Sequence, residues 1–179
     1  MLSRLRRSIT LIRQRLTNSV FLERDDVSRA FMIRSLDRPE LSETLPYTWK
    51  GESFFRFWNA TLDLEVTTSH GTLNEAQNQA VLAATTCDAP MIKQDSLDQI
   101  ADWFNATYAN HEILVDDEIH NAPLRTHDDV VAKVSLPRVV IDLSETAVPG
   151  RFELHFPWRT HNFYDFTVDV NLWAVQGKT

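Results

Sequence analysis

Two stretches near the end of the chain alternate apolar and polar residues over most of their length, and that pattern leaves few ways to fold. In RFELHFPW, Phe152, Leu154, Phe156 and Trp158 share one side; in FYDFTVDVNLWAV, Tyr164, Phe166, Val168, Val170, Leu172 and Ala174 do. Successive side chains of a strand point to opposite faces, so each stretch predicts a long strand with one buried face. RTHN between them predicts a hairpin turn, which makes the pair antiparallel.

The same period recurs twice upstream. Within FFRFWNATLDLEV, Trp58, Ala60, Leu62, Leu64 and Val66 alternate with Asn59, Thr61, Asp63 and Glu65. VVAKVSLPRVVIDL alternates through Val130, Ala132, Val134 and Leu136, then changes phase at Pro137 to Val139, Ile141 and Leu143. Proline donates no ladder hydrogen bond, so a bulge or strand break is expected there. Strands this long need a covering layer on their apolar side, and three segments supply helical patterns. Leu2, Leu5, Ile9, Ile12 and Leu16 follow a 3-4-3-4 spacing with Arg4, Arg6, Arg7, Arg13 and Arg15 mostly off the stripe, which predicts an amphipathic helix over about 3 to 20. Thr72 and Glu75 have capping-box spacing ahead of a face of Leu73, Ala76, Ala80 and Ala84. A further helix is expected to start near Asp95 or Ser96, with Leu97, Ile100, Ala101, Phe104 and Tyr108 inward. The fold class expected is therefore α+β: a mostly antiparallel sheet of long strands with an N-terminal amphipathic helix and two further helices packed on it.

At 179 residues, 43% of them hydrophobic, the chain is the size of one domain with a substantial core. Its expected parts are a basic helical arm over 1–20, an irregular connection over 21–53 with a short helix or edge strand around 27 to 36, and a sheet-and-helix body over 54–179. The one cysteine, Cys87, excludes an internal disulfide framework and a multi-cysteine zinc site. The net charge of −7 conceals a division: residues 1–38 hold nine Arg against Glu23, Asp25, Asp26 and Asp37, so +5, which leaves −12 for the rest. Such polarity predicts a basic arm facing an acidic partner.

The arm has several readings. A mitochondrial presequence has the same composition, which keeps an organellar complex subunit as an alternative. A membrane-surface helix usually presents Trp or Phe beside its leucines, and neither occurs before Phe21. Phosphates would repel a body at −12, so DNA proximity is limited to the arm itself. Docking on protein fits the spacing: burying each stripe residue contributes roughly 1.5–3 kcal/mol, against roughly 0–1 kcal/mol for an exposed ion pair. The arm's interface residues are then Leu2, Leu5, Ile9, Ile12 and Leu16 for packing, with Arg4, Arg7 and Arg13 for orientation. No membrane partner is expected.

Chemistry-bearing motifs are sparse. Gly51, Gly71, Gly150 and Gly177 lie too far apart for a phosphate-cradling loop. There is no G-x-S-x-G elbow, and Cys87 in TTCDAP reads as a structural thiol at a helix end. HEILVDDEIHNAPLRTHDD gathers His111, Glu112, Asp116, Asp117, Glu118, His120, His127, Asp128 and Asp129, groups that bind zinc, iron or manganese. Histidines nine and then seven apart fit no compact metal motif, so Asp116, Asp117, Asp128 and Asp129 are read as an acidic counter-surface for a neighbour's arm. His155, His161 and Arg159 around the last hairpin could hold an anion, and His70 beside Gly71 belongs to a strand-to-helix turn. Phe163, Trp173 and Val175 fall on the outward side of the last strand beside Asp165, Asp169 and Asn171. A covering helix or a contact with another chain would account for them.

The order of elements, an amphipathic helix, a long alternating strand, helices laid against it and long closing strands, resembles the tail-terminator and neck proteins of tailed bacteriophages. That resemblance spans residues 1–20 and 55–175 and rests on no motif. It implies a non-enzymatic, ring-forming homo-oligomer that contacts neighbouring structural proteins in a virion, with no cofactor. The competing class is a small-ligand binder or metal-dependent enzyme, with a pocket lined by Trp58, Phe156, Trp158 and Tyr164.

Overall fold

In the computed structural model, residues 13–15, 20–35, 45–108, 114–115, 118–119, 123–144, 150–159 and 165–172 are described. They form β1 (Arg13–Arg15), β2 (Phe21–Arg24), α1 (Asp26–Ser35), β3 (Tyr47–Phe55), β4 (Ala60–Thr68), α2 (Glu75–Thr86) and α3 (Met91–Tyr108). The remaining elements are β5 (Leu114–Val115), β6 (Glu118–Ile119), α4 (His127–Lys133), β7 (Arg138–Leu143), β8 (Arg151–Pro157) and β9 (Asp165–Asn171). Seven strands make one sheet in the order β1-β2-β3-β4-β7-β8-β9, and β5 pairs with β6 separately. Every neighbouring pair in the large sheet is antiparallel except β4 with β7. A parallel pair requires a crossover, and this one carries α2, α3 and α4. The class is α+β with a mostly antiparallel sheet.

Alternation holds where the strands are long. Leu62, Leu64, Val66, Val139, Ile141, Leu143, Phe152, Leu154, Phe156, Val168 and Val170 are all buried. They share the sheet face that meets α2 and α3, where Val81, Ala84, Ile92, Leu97, Ile100 and Phe104 complete the core. The last two strands pair from Arg151↔Asn171 to Pro157↔Asp165, the hairpin expected from their patterns.

Several expectations need correction. Residues 13–15 are a strand, not part of a helix over 3 to 20: Arg13 pairs with Glu23 and Arg15 with Phe21. The ladder to β2 overrides the helical spacing at these positions; residues 1–12 and 16–19 lie outside the described residues. The span 21–53 is not an irregular connection, since it contains β2, α1 and most of β3. Its α1 coincides with the helix-or-edge-strand segment around 27 to 36. Asp25 starts that helix, its carboxylate accepting from the Ser28 N–H at 3.0 Å.

The strand expected within FFRFWNATLDLEV is present from Ala60 as β4, but Trp58 and Asn59 belong to the turn that joins it to β3 in a hairpin. Phe55 O accepts from the Trp58 and Asn59 amides at 3.2 and 2.9 Å, and Asn59 takes φ 55, a left-handed conformation that asparagine tolerates. The turn folds its aromatics inward, with Phe57 stacked on Phe152 at 5.5 Å and Trp58 tilted on Phe156 at 5.6 Å. The α2 cap is Asn74 with Gln77 rather than Thr72 with Glu75, and Ala76 is exposed. Helix α3 begins at Met91, right after Pro90, and Ser96 lies inside it, buried, with its hydroxyl donating to Ile92 O at 2.6 Å. Val130 and Ala132 belong to helix α4, not to a strand. Thr126 and Asp129 form its capping box, and only Val134 keeps a bridge, to Trp158.

Candidate functional site

The strands present a second face, and no described helix packs on it. Register brings its side chains into rows across the sheet. One row runs Glu23, Lys50, Glu65, Val140, Glu153 and Asp169 over six strands. Beside it lies Phe21 opposite Glu52, which is opposite Asp63, with Phe54 two residues further along β3 and opposite Thr61. The same row continues through Arg138, His155 and Thr167, because the parallel register of β4 with β7 sets Asp63 beside Arg138.

Two properties distinguish this face. First, by register carboxylates outnumber cations: Glu23, Glu52, Asp63, Glu65, Asp142, Glu153, Asp165 and Asp169 stand against Arg13, Arg15, Lys50, Arg138 and Arg151. Part of the positive charge is already engaged. Lys50 Nζ lies 2.7 Å from Asp25 Oδ2 and Arg138 Nη1 lies 3.5 Å from Glu65 Oε2. The Lys50 ammonium and the Ser28 amide hold the Asp25 carboxyl at about 2, below its ordinary 3.8. His155 Nε2 lies 2.6 Å from Glu153 Oε2. Second, Phe21 and Phe54 are 49% and 50% exposed on this charged surface, at diagonal positions of adjacent strands where long side chains reach each other.

Between β2, β3, β4 and β7 the face dips into an open depression of about 650 Å³, lined by Phe21, Lys50, Glu52, Asp63, Glu65 and Arg138 among others. Small-molecule sites enclose most of their ligand. This one would leave its occupant wet on one side, a shape suited to a helix or strand lying across it. Elsewhere, α1 carries Val27 and Phe31 one turn apart and exposed.

The expected sites are distributed as follows. Leu2, Arg4, Leu5, Arg7, Ile9, Ile12 and Leu16 lie outside the described residues, and Arg13 is in edge strand β1. Asp116, Asp117, Phe163, Trp173 and Val175 also lie outside them. Asp128 is exposed on the first turn of α4, but Asp129 is occupied: its Oδ2 accepts from the Arg125 and Thr126 amides at 2.9 and 2.8 Å. Those amide donors hold its carboxyl below the ordinary range. Its role is a helix cap. His127 Nε2 lies 2.7 Å from Asp98 Oδ1 on α3, an exposed pair that joins two helices. Among the described residues, no group of three or more His, Cys, Asp or Glu is placed to hold a metal ion.

The pocket expected from Trp58, Phe156, Trp158 and Tyr164 is not formed by the first three. Trp58 and Phe156 are buried against each other and Trp158 stacks on Phe104 at 5.4 Å; Tyr164 is outside the described residues. Arg159 Nε donates to Val134 O at 2.8 Å beside the Val134–Trp158 bridge, His155 pairs with Glu153, and His161 lies outside the described residues. Cys87 caps the end of α2, half-buried, and burial pushes its thiol up. No described helix is long and apolar enough to cross a membrane.

Sequence reasoning missed Phe21, Phe54, Glu52 and Lys50, because all four fall in the span read as irregular or at its border. The signal was available: Thr48, Lys50, Glu52 and Phe54 alternate with Trp49, Gly51, Ser53 and Phe55. The chain matches no protein family, no curated protein and no solved structure.

Proposed function

We propose that this protein is a non-enzymatic assembly subunit that joins copies of itself and neighbouring structural proteins through the uncovered face of its sheet. The observation that carries this reading is the pair Phe21 and Phe54, half-exposed at diagonal positions of adjacent strands on a face rich in charged groups. Burying two phenylalanines contributes roughly 1.5–3 kcal/mol each, and a surrounding charged rim confers orientation more than affinity. Exposed aromatic groups among charged ones are the composition favoured at protein contacts.

The order of elements over 55–175, strand, helices, then closing strands, supports reading the subunit as part of a ring, a neck or tail-terminator component of a phage-like particle working in the virion after assembly in the host; at 13–15 that order is broken by strand β1. A ring needs two different complementary patches on each copy, so the open face must meet something other than itself. Light scattering on the purified chain across a concentration series tests the reading. A closed oligomer, hexameric or larger, supports it; a monomer at every concentration overturns it.

A further inference from the structure

We infer that the occupant of the open sheet face is the arginine-bearing segment 1–12 of a neighbouring copy. This rests on the assembly reading and adds to it the identity of the second patch. Three observations meet. Segment 1–12 carries Arg4, Arg6 and Arg7 and no acid, with Leu2, Leu5, Ile9 and Ile12 at helical spacing on one stripe. The open face has the complementary character, with carboxylates at Glu52, Asp63, Glu153 and Asp169 and an apolar site at Phe54. The dimensions also agree. Twelve residues of helix measure about 18 Å. The row from Glu23 to Asp169 crosses five strand spacings, about 24 Å at roughly 4.8 Å each.

The ring requirement favours a neighbour's face. Arg13 opposes Glu23 and Arg15 opposes Phe21, so the chain arrives in β1 from the end of β2 where Arg24 and α1 begin. Arg13 thus stands at the end of β1 away from Arg15, the residue opposite Phe21. A head-to-tail ring needs the segment to meet the next copy's face rather than its own. The segment and the face are two different patches, which satisfies the head-to-tail requirement of a ring.

Charge exchange tests this on the full chain. One variant reverses the segment (Arg4→Glu, Arg6→Glu, Arg7→Glu), and another reverses the face at exposed positions (Glu52→Lys, Asp63→Lys, Asp169→Lys). Light scattering should show each alone shifted to smaller mass, its assembly midpoint raised at least about tenfold, a loss typical of mispaired interface charge. An equimolar mixture of the two should recover the wild-type mass, because the reversed segment of one fits the reversed face of the other. Recovery in a chain carrying all six changes but not in the mixture means that the segment folds onto its own face, which overturns the inference. Wild-type mass in both single variants overturns it as well while leaving the assembly reading standing; a monomeric wild type removes both. If the lysine variant fails to fold, Glu52→Gln, Asp63→Asn and Asp169→Asn serve in its place. Their assembly should weaken and lose most of its salt dependence, and an unchanged salt dependence contradicts the inference.

Discussion

The Lys50 ammonium donates to Asp25 Oδ2 at 2.7 Å while Asp25 Oδ1 accepts from the Ser28 amide at 3.0 Å, so one carboxylate ties the middle of β3 to the start of α1. The Asp25 amide adds a bond to Thr48 O at 2.8 Å. Because the folded carboxyl titrates at about 2 rather than 3.8, its contribution is fully present above pH 4 and is lost as pH falls towards 2. Lys50 is half-exposed, so solvent screening limits the pair to the surface range, and with the cap the total is about 1 kcal/mol. Urea unfolding of wild type and Asp25→Ala should differ by that amount at pH 6, with the gap closing between pH 4 and 2. A gap that stays constant to pH 2 contradicts the assignment.

Gly51 of β3 sits opposite Leu22 of β2. A Cβ there would meet Phe21 O at 2.2 Å, and that neighbour is backbone, which cannot swing aside. Gly51→Ala should therefore push β2 outward and cost roughly 1–3 kcal/mol, as overpacking does. Amide exchange should accelerate in residues 21–24 more than in β7 or β8. Equal protection in both variants would show that the strand shifts without loss.

Gln77 has two duties at the start of α2. Its Oε1 accepts from the Asn74 amide at 2.9 Å, closing the capping box, and its Nε2 donates to Leu143 O at 3.3 Å at the end of β7. The residue is buried, so Gln77→Ala leaves an amide and a carbonyl unsatisfied at roughly 1–3 kcal/mol. Asn74→Ala removes the cap alone and should cost about 1 kcal/mol. Thermal unfolding of the two should rank them in that order; the reverse ranking would show that the link to Leu143 contributes nothing.

What could be read from the sequence was the part with a clean period. Phe152 to Phe156, Val168 to Leu172 and Leu62 to Val66 are buried as their alternation requires, because both the pleat and the core act on every second residue. The failures occur where a local pattern competes with a tertiary partner. Arg13 to Arg15 continue a helical spacing yet pair with β2, a tertiary partner that the local period does not encode. Val130 alternates like a strand residue but belongs to a helix whose capping box, Thr126 with Asp129, is itself a sequence signature. The open face was half legible. Asp63 and Glu65 show as the wet side of their strand, whereas Phe21 and Phe54 join them only through cross-strand register, which no single segment encodes.

The central claim is that Phe21 and Phe54 face another polypeptide. Light scattering of wild type and a Phe21→Ser, Phe54→Ser variant, read beside their melting temperatures, tests it most directly. Both side chains are about half exposed, so the folded monomer should lose little stability. The expected result is a wild-type oligomer, a variant reduced to monomer at the same concentration, and melting temperatures of the isolated subunits within a few degrees. Equal mass in the two proteins, whether monomer or oligomer, contradicts the account.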